Sequence, residues 1–199
     1  MQTEIEVKYL DVDLADIRNR LQKIGATLEQ PMRLLRRSLI EEPHHKAKHG
    51  FIRIRDQGDK VTMAYKQRDD EFAMHGTKEV EIEVSDFQTT VDLMEAAGWP
   101  VMTYQESKRE TWRIGEAEVV LDEWPWIKPY IEIEAPSEEL VKKTAQELGL
   151  NWNDHVLGSV DVIYERDYPD MSVRGIIDIK EARFADPIPP EFLGKVKEQ

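Results

Sequence analysis

The sequence contains no cysteine. That excludes a disulfide framework, a thiolate metal site and a cysteine nucleophile, and it fits a reducing, cytoplasmic setting. It also lacks any apolar run of about 18 residues and any basic-then-apolar leader, so neither a membrane span nor a secretory signal is expected. Positive charge is scarce: 27 Lys and Arg stand against 40 Asp and Glu, a net charge of −13. A balance this acidic argues against duplex nucleic acid, which needs a basic footprint. No Walker A loop, Gly-x-Ser-x-Gly elbow or dinucleotide fingerprint occurs, so any phosphate must be held by side chains rather than by a helix N-terminus. What remains is a 199-residue chain, 40% hydrophobic and 34% charged, which suits one domain with a sizeable core and a well-solvated surface.

Three segments alternate acid with aliphatic: Glu4-Ile5-Glu6-Val7, Glu81-Ile82-Glu83-Val84 and Glu132-Ile133-Glu134-Ala135. This is the period of a strand. Each then meets a helix-start residue, Asp13, Ser85 or Asp86, and Ser137, whose side-chain oxygen can cap free amides. Apolar residues follow at helical spacing: Leu14, Ile17, Leu21 and Ile24, then Val91, Leu93 and Met94, then Leu140, Val141, Ala145 and Leu148. Gly25, Gly98 and Gly149 close the three helices, as left-handed caps do. The repetition is either an old duplication or a recurring strand-to-helix solution. Hairpins are expected around Gly58 and Gly115, and a late strand over 158–164. About eight strands and three helices make an α+β domain with a mostly antiparallel sheet.

The strands carry charge on one face and aliphatics on the other. Glu4, Glu6 and Lys8 share a face, as do Arg53 with Arg55 and Glu132 with Glu134. The plain reading is a one-sided sheet whose charged face meets water. If the sheet instead closes into a barrel, those faces line its interior. Buried charges need partners. Clustered carboxylates are satisfied by hard cations such as Mg²⁺ or Mn²⁺, and clustered guanidinium and ammonium groups by phosphate oxygens. Acids beside bases therefore point to a metal-bridged polyphosphate.

The residues Glu4-x-Glu6-x-Lys8 resemble the ExExK signature of the CYTH superfamily, the triphosphate tunnel metalloenzymes, which include class IV adenylyl cyclases, thiamine triphosphatases and inorganic tripolyphosphatases. Further segments are similar in order: Phe51-Ile-Arg53-Ile-Arg55, Ala64-Tyr65-Lys66, Lys78 to Glu83, Arg109-Glu-Thr-Trp112, Val120-Leu121-Asp122, Tyr130 to Glu134 and Gly158-Ser159-Val160. The resemblance covers roughly residues 2–165 of a single 1–199 domain and leaves 166–199 as a C-terminal extension without an assigned role. It implies an eight-stranded antiparallel β-barrel forming a charged tunnel, with helices packed outside. It implies Glu4, Glu6, Asp122, Glu132 and Glu134 as metal ligands for Mg²⁺ or Mn²⁺. Lys8, Arg53, Arg55, Lys66 and Arg109 would hold phosphate oxygens. Lys8, Lys66 and Glu81 would act in catalysis, with Glu79 and Glu83 on the same face as Glu81.

Several positions depart from the family pattern. Ser107 stands where the basic strand often has lysine, and Lys108 is one place on and faces the other way. Lys128 and Tyr130 replace a glycine and a phenylalanine, Ala64 a threonine and Val160 a tyrosine. Arg37, on the strand before Arg53, is a further candidate phosphate ligand. The function implied is metal-dependent hydrolysis of a triphosphate, whether inorganic tripolyphosphate, thiamine triphosphate or a nucleoside triphosphate. The alternatives are a class IV adenylyl cyclase and a non-catalytic polyphosphate- or nucleotide-binding module. The partner expected is a small-molecule triphosphate, without duplex nucleic acid or membrane, and a homodimer stays open. His44, His45 and His49 read as a solvated loop. Trp124 and Trp126 read as loop staples more readily than as a nucleobase platform.

Overall fold

The structure, a computed structural model, describes residues 2–41, 50–68 and 77–194. The alternating segments form strands β1 (Gln2–Glu4), β2 (Glu6–Tyr9), β3 (Thr27–Glu41), β4 (Gly50–Asp56), β5 (Val61–Arg68), β6 (Thr77–Val84), β7 (Val101–Ile114), β8 (Ala117–Glu123) and β9 (Tyr130–Glu134). They pair antiparallel in the order β1-β6-β5-β4-β3-β7-β8-β9-β2. The hydrogen-bonded path is not a continuous ring, yet its two outer strands are successive pieces of one stretch. Glu4 faces Thr77 on β6 and Glu6 faces Glu134 on β9, with Ile5 alone between the two pieces. The N-terminal stretch thus joins both edges, and eight strand positions surround a tunnel.

Helices α1 (Leu14–Lys23), α2 (Phe87–Ala96) and α3 (Glu138–Glu147) start where their capping residues stand. The carboxylate of Asp13 accepts from the amides of Ala15 and Asp16, that of Asp86 from Thr89, and the Ser137 hydroxyl from Leu140. Gly25, Gly98 and Gly149 follow with positive φ, which only glycine adopts without cost. Ile17 and Leu21 of α1 and Val141 and Ala145 of α3 pack on the outer aliphatic face, against Val7, Val119, Leu121, Ile131 and Ile133. Val91 of α2 covers Ile40, Ile52 and Ile54. The cover is uneven: Leu93 of α2 and Val80 and Ile82 of β6 are exposed.

Residues 158–164 do not form the expected strand. They enter helix α4 (Asp161–Asp167), because the buried set is Val160, Ile163 and Tyr164, a helical spacing, rather than every second residue. The stretch beyond it packs on the barrel. Ile163, Tyr164, Ile176, Ile179, Ala182 and Phe192 cluster with Trp124 and Tyr130, and β10 (Glu181–Ala182) pairs parallel with β7. No described helix is long and apolar enough to cross a membrane.

Candidate active site

Strand alternation sends one parity of side chains outward into the apolar layer and the other inward. Inward stand Glu6 and Lys8 of β2, Arg53 and Arg55 of β4, Lys66 of β5, Glu79 and Glu81 of β6, Arg109 of β7, and Glu132 and Glu134 of β9, all lining one cavity of about 610 Å³. Nine of the sequence-derived residues therefore share one space: Glu6, Lys8, Arg53, Arg55, Lys66, Glu81, Arg109, Glu132 and Glu134. Asp122 stands apart from the cavity wall. It is 1% exposed and accepts from Nε of Arg109 at 2.7 Å. Glu4 lies on β1 opposite Thr77, with its side chain outside the described set. His44, His45 and His49 also lie outside the described residues.

The acids and bases interlock. Nζ of Lys8 donates to Glu6 at 2.8 Å and stands 3.2 Å from Glu132. Nη2 of Arg109 donates to Glu132 at 2.9 Å. Nη2 of Arg53 donates to Glu79 at 2.9 Å and to Glu81 at 3.2 Å, and Nζ of Lys66 stands 2.8 Å from Glu79. Burial alone would lower the pKa of Lys8, but Glu132 and Glu6 outweigh it and hold the ammonium above its ordinary value. Burial works against ionised Glu132 as well, yet Lys8 and Arg109 pull its pKa down to about 2. Lys8 is a fixed cation, not a base.

Arg55 differs from its neighbours. Its carboxylate contact is Glu81 at 3.9 Å, and its Nε has no partner among the described residues. Burial, then the charges of Arg53 and Arg109, push its pKa well below the ordinary value. A buried guanidinium crowded by two others is an anion site in waiting, since an oxyanion would offset the repulsion. Arg37 of β3 extends this basic wall. Its Nε donates to Gln105 at 2.8 Å and its guanidinium carbon lies 4.3 Å from the centre of the Trp124 ring.

Crowding of the opposite sign occurs at Glu134. It faces Glu6 on one strand and Glu118 on the other. Partial burial, then Glu6, Glu118 and Glu132, push the Glu134 carboxyl up to about 7. The residue is exposed at the cavity rim, so water screens part of that repulsion. Among the described residues, no three carboxylates converge closely enough to hold an ion as they stand. The donor set is nevertheless all oxygen, and at Glu134 carboxylate crowds carboxylate, which is the chemistry a hard divalent cation satisfies. Glu134→Gln is expected to raise the melting temperature of the metal-free protein at pH 8. A carboxyl whose folded pKa is raised destabilises the fold above about pH 7 and has no effect below its unfolded value of about 4.5. The gain should therefore shrink as pH falls between those limits. Thermal melts in chelator across that range read it directly, and a gain that grows on acidification would contradict the clustering.

Three polar wall residues, Glu118, Ser159 and Asp161, are not among the candidate site residues, although Ser159 lies in the family-like segment Gly158-Ser159-Val160. Glu118 shares the parity of Asp122 along β8, which was the available signal. Ser159 and Asp161 come from the segment read as a strand. Of the two tryptophans, Trp124 lines the cavity, while Trp126 staples the C-terminal stretch through a bond from Nε1 to the Asp186 carbonyl at 2.8 Å. Lys108 faces away as expected, over the Phe184 ring.

Known structures share this arrangement of strands. A putative adenylate cyclase from Vibrio parahaemolyticus is similar over 81% of this chain and 97% of its own, at 15% identity and a TM-score of 0.67. The PH1012 protein from Pyrococcus horikoshii OT3 is similar over 76% of this chain and 93% of its own, at 22% identity and a TM-score of 0.65. A putative adenylyl cyclase from Hippeastrum, reported to have a dominant triphosphatase activity, matches 80% of this chain and 91% of its own at 16% identity, with a TM-score of 0.53. No match was found among curated proteins. The model of the CYTH domain matches residues 2–159, the stretch that builds all nine main strands and most of the charged wall. The chain belongs to the CYTH domain family.

Proposed function

We propose that this protein is a divalent-metal-dependent hydrolase of a triphosphate bound in the tunnel. The observation that carries the reading is the placement of Arg53, Arg55 and Arg109, with Arg55 poorly compensated, in one cavity with the carboxylates Glu6, Glu132 and Glu134. The arginines and Lys66 suit a row of phosphate oxygens and the charge that develops on them during transfer. Lys8, kept protonated by Glu6 and Glu132, fixes those two carboxylates and offers a further contact to phosphate. Glu81, beside Arg53 and Arg55, orients the attacking water. Glu6, Glu132 and Glu134, with Glu4 on the adjoining strand and Asp122 behind Arg109, would hold Mg²⁺ or Mn²⁺, which supplies neutralisation of the phosphate oxygens.

Proteins described by cyclase and by triphosphatase activity share this fold, so the choice between them rests on residues. Ser107 stands in the wall where a second cation would serve a cyclase, and Lys108 lies outside. The test offers inorganic tripolyphosphate, thiamine triphosphate and ATP separately, with Mg²⁺, with Mn²⁺ and with chelator. Metal-dependent release of orthophosphate is expected. Cyclic AMP with pyrophosphate would mark a cyclase, and tight binding without turnover a binding module; either result overturns hydrolysis.

A further inference from the structure

Arg37 lines the cavity but is held by neutral partners. It stands on β3 directly opposite Gln105 of β7, and its Nε donates to the Gln105 side-chain oxygen at 2.8 Å. Its guanidinium lies over the Trp124 ring. Among the described residues, no carboxylate pairs with it and its two terminal nitrogens make no hydrogen bond. Arg53 and Arg109, by contrast, each grip two carboxylates. Burial, then the charge of Arg53, pulls the Arg37 pKa down to about 10, with Asp161 offsetting part of the effect. The guanidinium therefore stays a cation at neutral pH.

Gln105 is fully buried and takes no part in the cavity wall. Both ends of its amide are used: the oxygen accepts from Arg37, and the nitrogen donates to the Ile176 carbonyl at 3.2 Å. The partners fix which end is which, because a guanidinium can only donate and a carbonyl can only accept. Ile176 belongs to the C-terminal extension and is itself buried, in the cluster with Trp124 and Tyr130. The extension is stitched to β7 at neighbouring residues too. The Thr103 hydroxyl donates to the Ile179 carbonyl at 2.6 Å, and the Tyr104 amide to the Lys180 carbonyl at 2.9 Å.

A carboxylate opposite Arg37 would hold the guanidinium as firmly, but it would neutralise it and compete with an approaching anion. An amide fixes direction through one nitrogen and leaves the charge and the other two nitrogens for a ligand. Such an arrangement is costly while no anion is bound and favourable once one arrives.

We propose that Gln105 is a positioning residue: it aims Arg37 at the phosphate chain without neutralising it, and through Ile176 it makes that aim depend on the C-terminal extension. The proposal rests on the triphosphate reading above and adds to it a residue that touches no substrate.

The test is a cycle of variants, assayed with Mg²⁺ and whichever of inorganic tripolyphosphate, thiamine triphosphate and ATP the unaltered protein turns over best. A second readout is the rise in melting temperature that the same compound produces in chelator. Arg37→Met should raise KM about tenfold or more and change kcat little, the mark of a lost phosphate contact. Gln105→Met should reproduce most of that loss, and in the Arg37→Met background it should cost nothing further. Thr103→Val severs a neighbouring bond to the extension without touching Arg37. It should lower the melting temperature while KM and the ligand-induced shift stay as in the unaltered protein. Gln105→Glu neutralises Arg37 at the same side-chain length and should also weaken the triphosphate, which keeps the test decisive if Gln105→Met folds poorly. Losses that add in the double variant, an equal rise in KM for Thr103→Val, affinity retained by Gln105→Glu, or an unchanged KM in Arg37→Met each overturn the positioning role and leave the triphosphate site standing. If the unaltered protein neither turns over nor is stabilised by any of the three compounds, the broader reading falls and takes this one with it.

Discussion

Arg55→Ala is expected to lower kcat/KM for a triphosphate by about 10²- to 10³-fold while the metal-free protein melts at an unchanged or higher temperature. Most buried arginines would not behave this way, because removing one usually strands a carboxylate. Arg55 lies 3.9 Å from Glu81, which Arg53 also holds at 3.2 Å, so Glu81 keeps a partner after the change. Removing the guanidinium also relieves the burial of a charge and the repulsion from Arg53 and Arg109, which together depress its pKa. The stem borders a polar cavity rather than the apolar core, so water can enter the space it leaves. Inorganic tripolyphosphate should stabilise the unaltered protein, since a ligand bound by the native state alone raises the melting temperature. It should stabilise the variant much less. Unchanged kcat/KM would remove Arg55 from the phosphate site. A fall of many degrees in the melting temperature without ligand would show that its role is structural.

That a residue can be poorly satisfied by the fold and well placed for a ligand explains which parts of the site were legible beforehand. Parity along short regular strands was readable from sequence: Glu6 with Lys8, Arg53 with Arg55 and Glu132 with Glu134 alternate with aliphatics that pack under α1, α2 and α3. Closure of the sheet was not readable from that parity and was expected only through the family resemblance, because it depends on the pairing of one stretch with two different strands across Ile5, and no local pattern encodes a distant partner. Arg37 was ambiguous for a related reason. The β3 strand runs over Thr27–Glu41 and shifts register against β7 between Leu28 and Gln30 and again before Arg33, and each bulge resets which side faces in. Asp161 was missed because Val160, Val162 and Tyr164 fit a strand while Val160, Ile163 and Tyr164 fit a helix. Packing against Trp124, Tyr130 and Phe192 decides for the helix.

Glu132 sits where the two networks meet, and its removal has the largest consequences for both activity and stability. Glu132→Gln is expected to abolish metal-dependent turnover, a loss of about 10³-fold or more, and to cost on the order of 1–3 kcal/mol of stability. The cost stays below that of breaking an isolated buried pair, about 3–5 kcal/mol, because Lys8 keeps Glu6 and Arg109 keeps Asp122. The pH dependence runs opposite to that of Glu134. A carboxyl held at about 2 in the fold contributes stability that is complete above about pH 4.5 and is lost as pH falls toward about 2. The melting-temperature gap between the unaltered protein and Glu132→Gln should therefore be constant at neutral pH and close in acid. Lys8→Met with Glu132→Gln removes both members of the pair, so the double variant should lose less stability than the two single losses added together, by a coupling of about 0.5–3 kcal/mol. Turnover should be absent in all three. Strict additivity in stability would show that Lys8 and Glu132 do not depend on each other. Turnover retained by Glu132→Gln would remove this carboxylate from the catalytic set, and with it the link between the Lys8 cation and the phosphate-binding arginines.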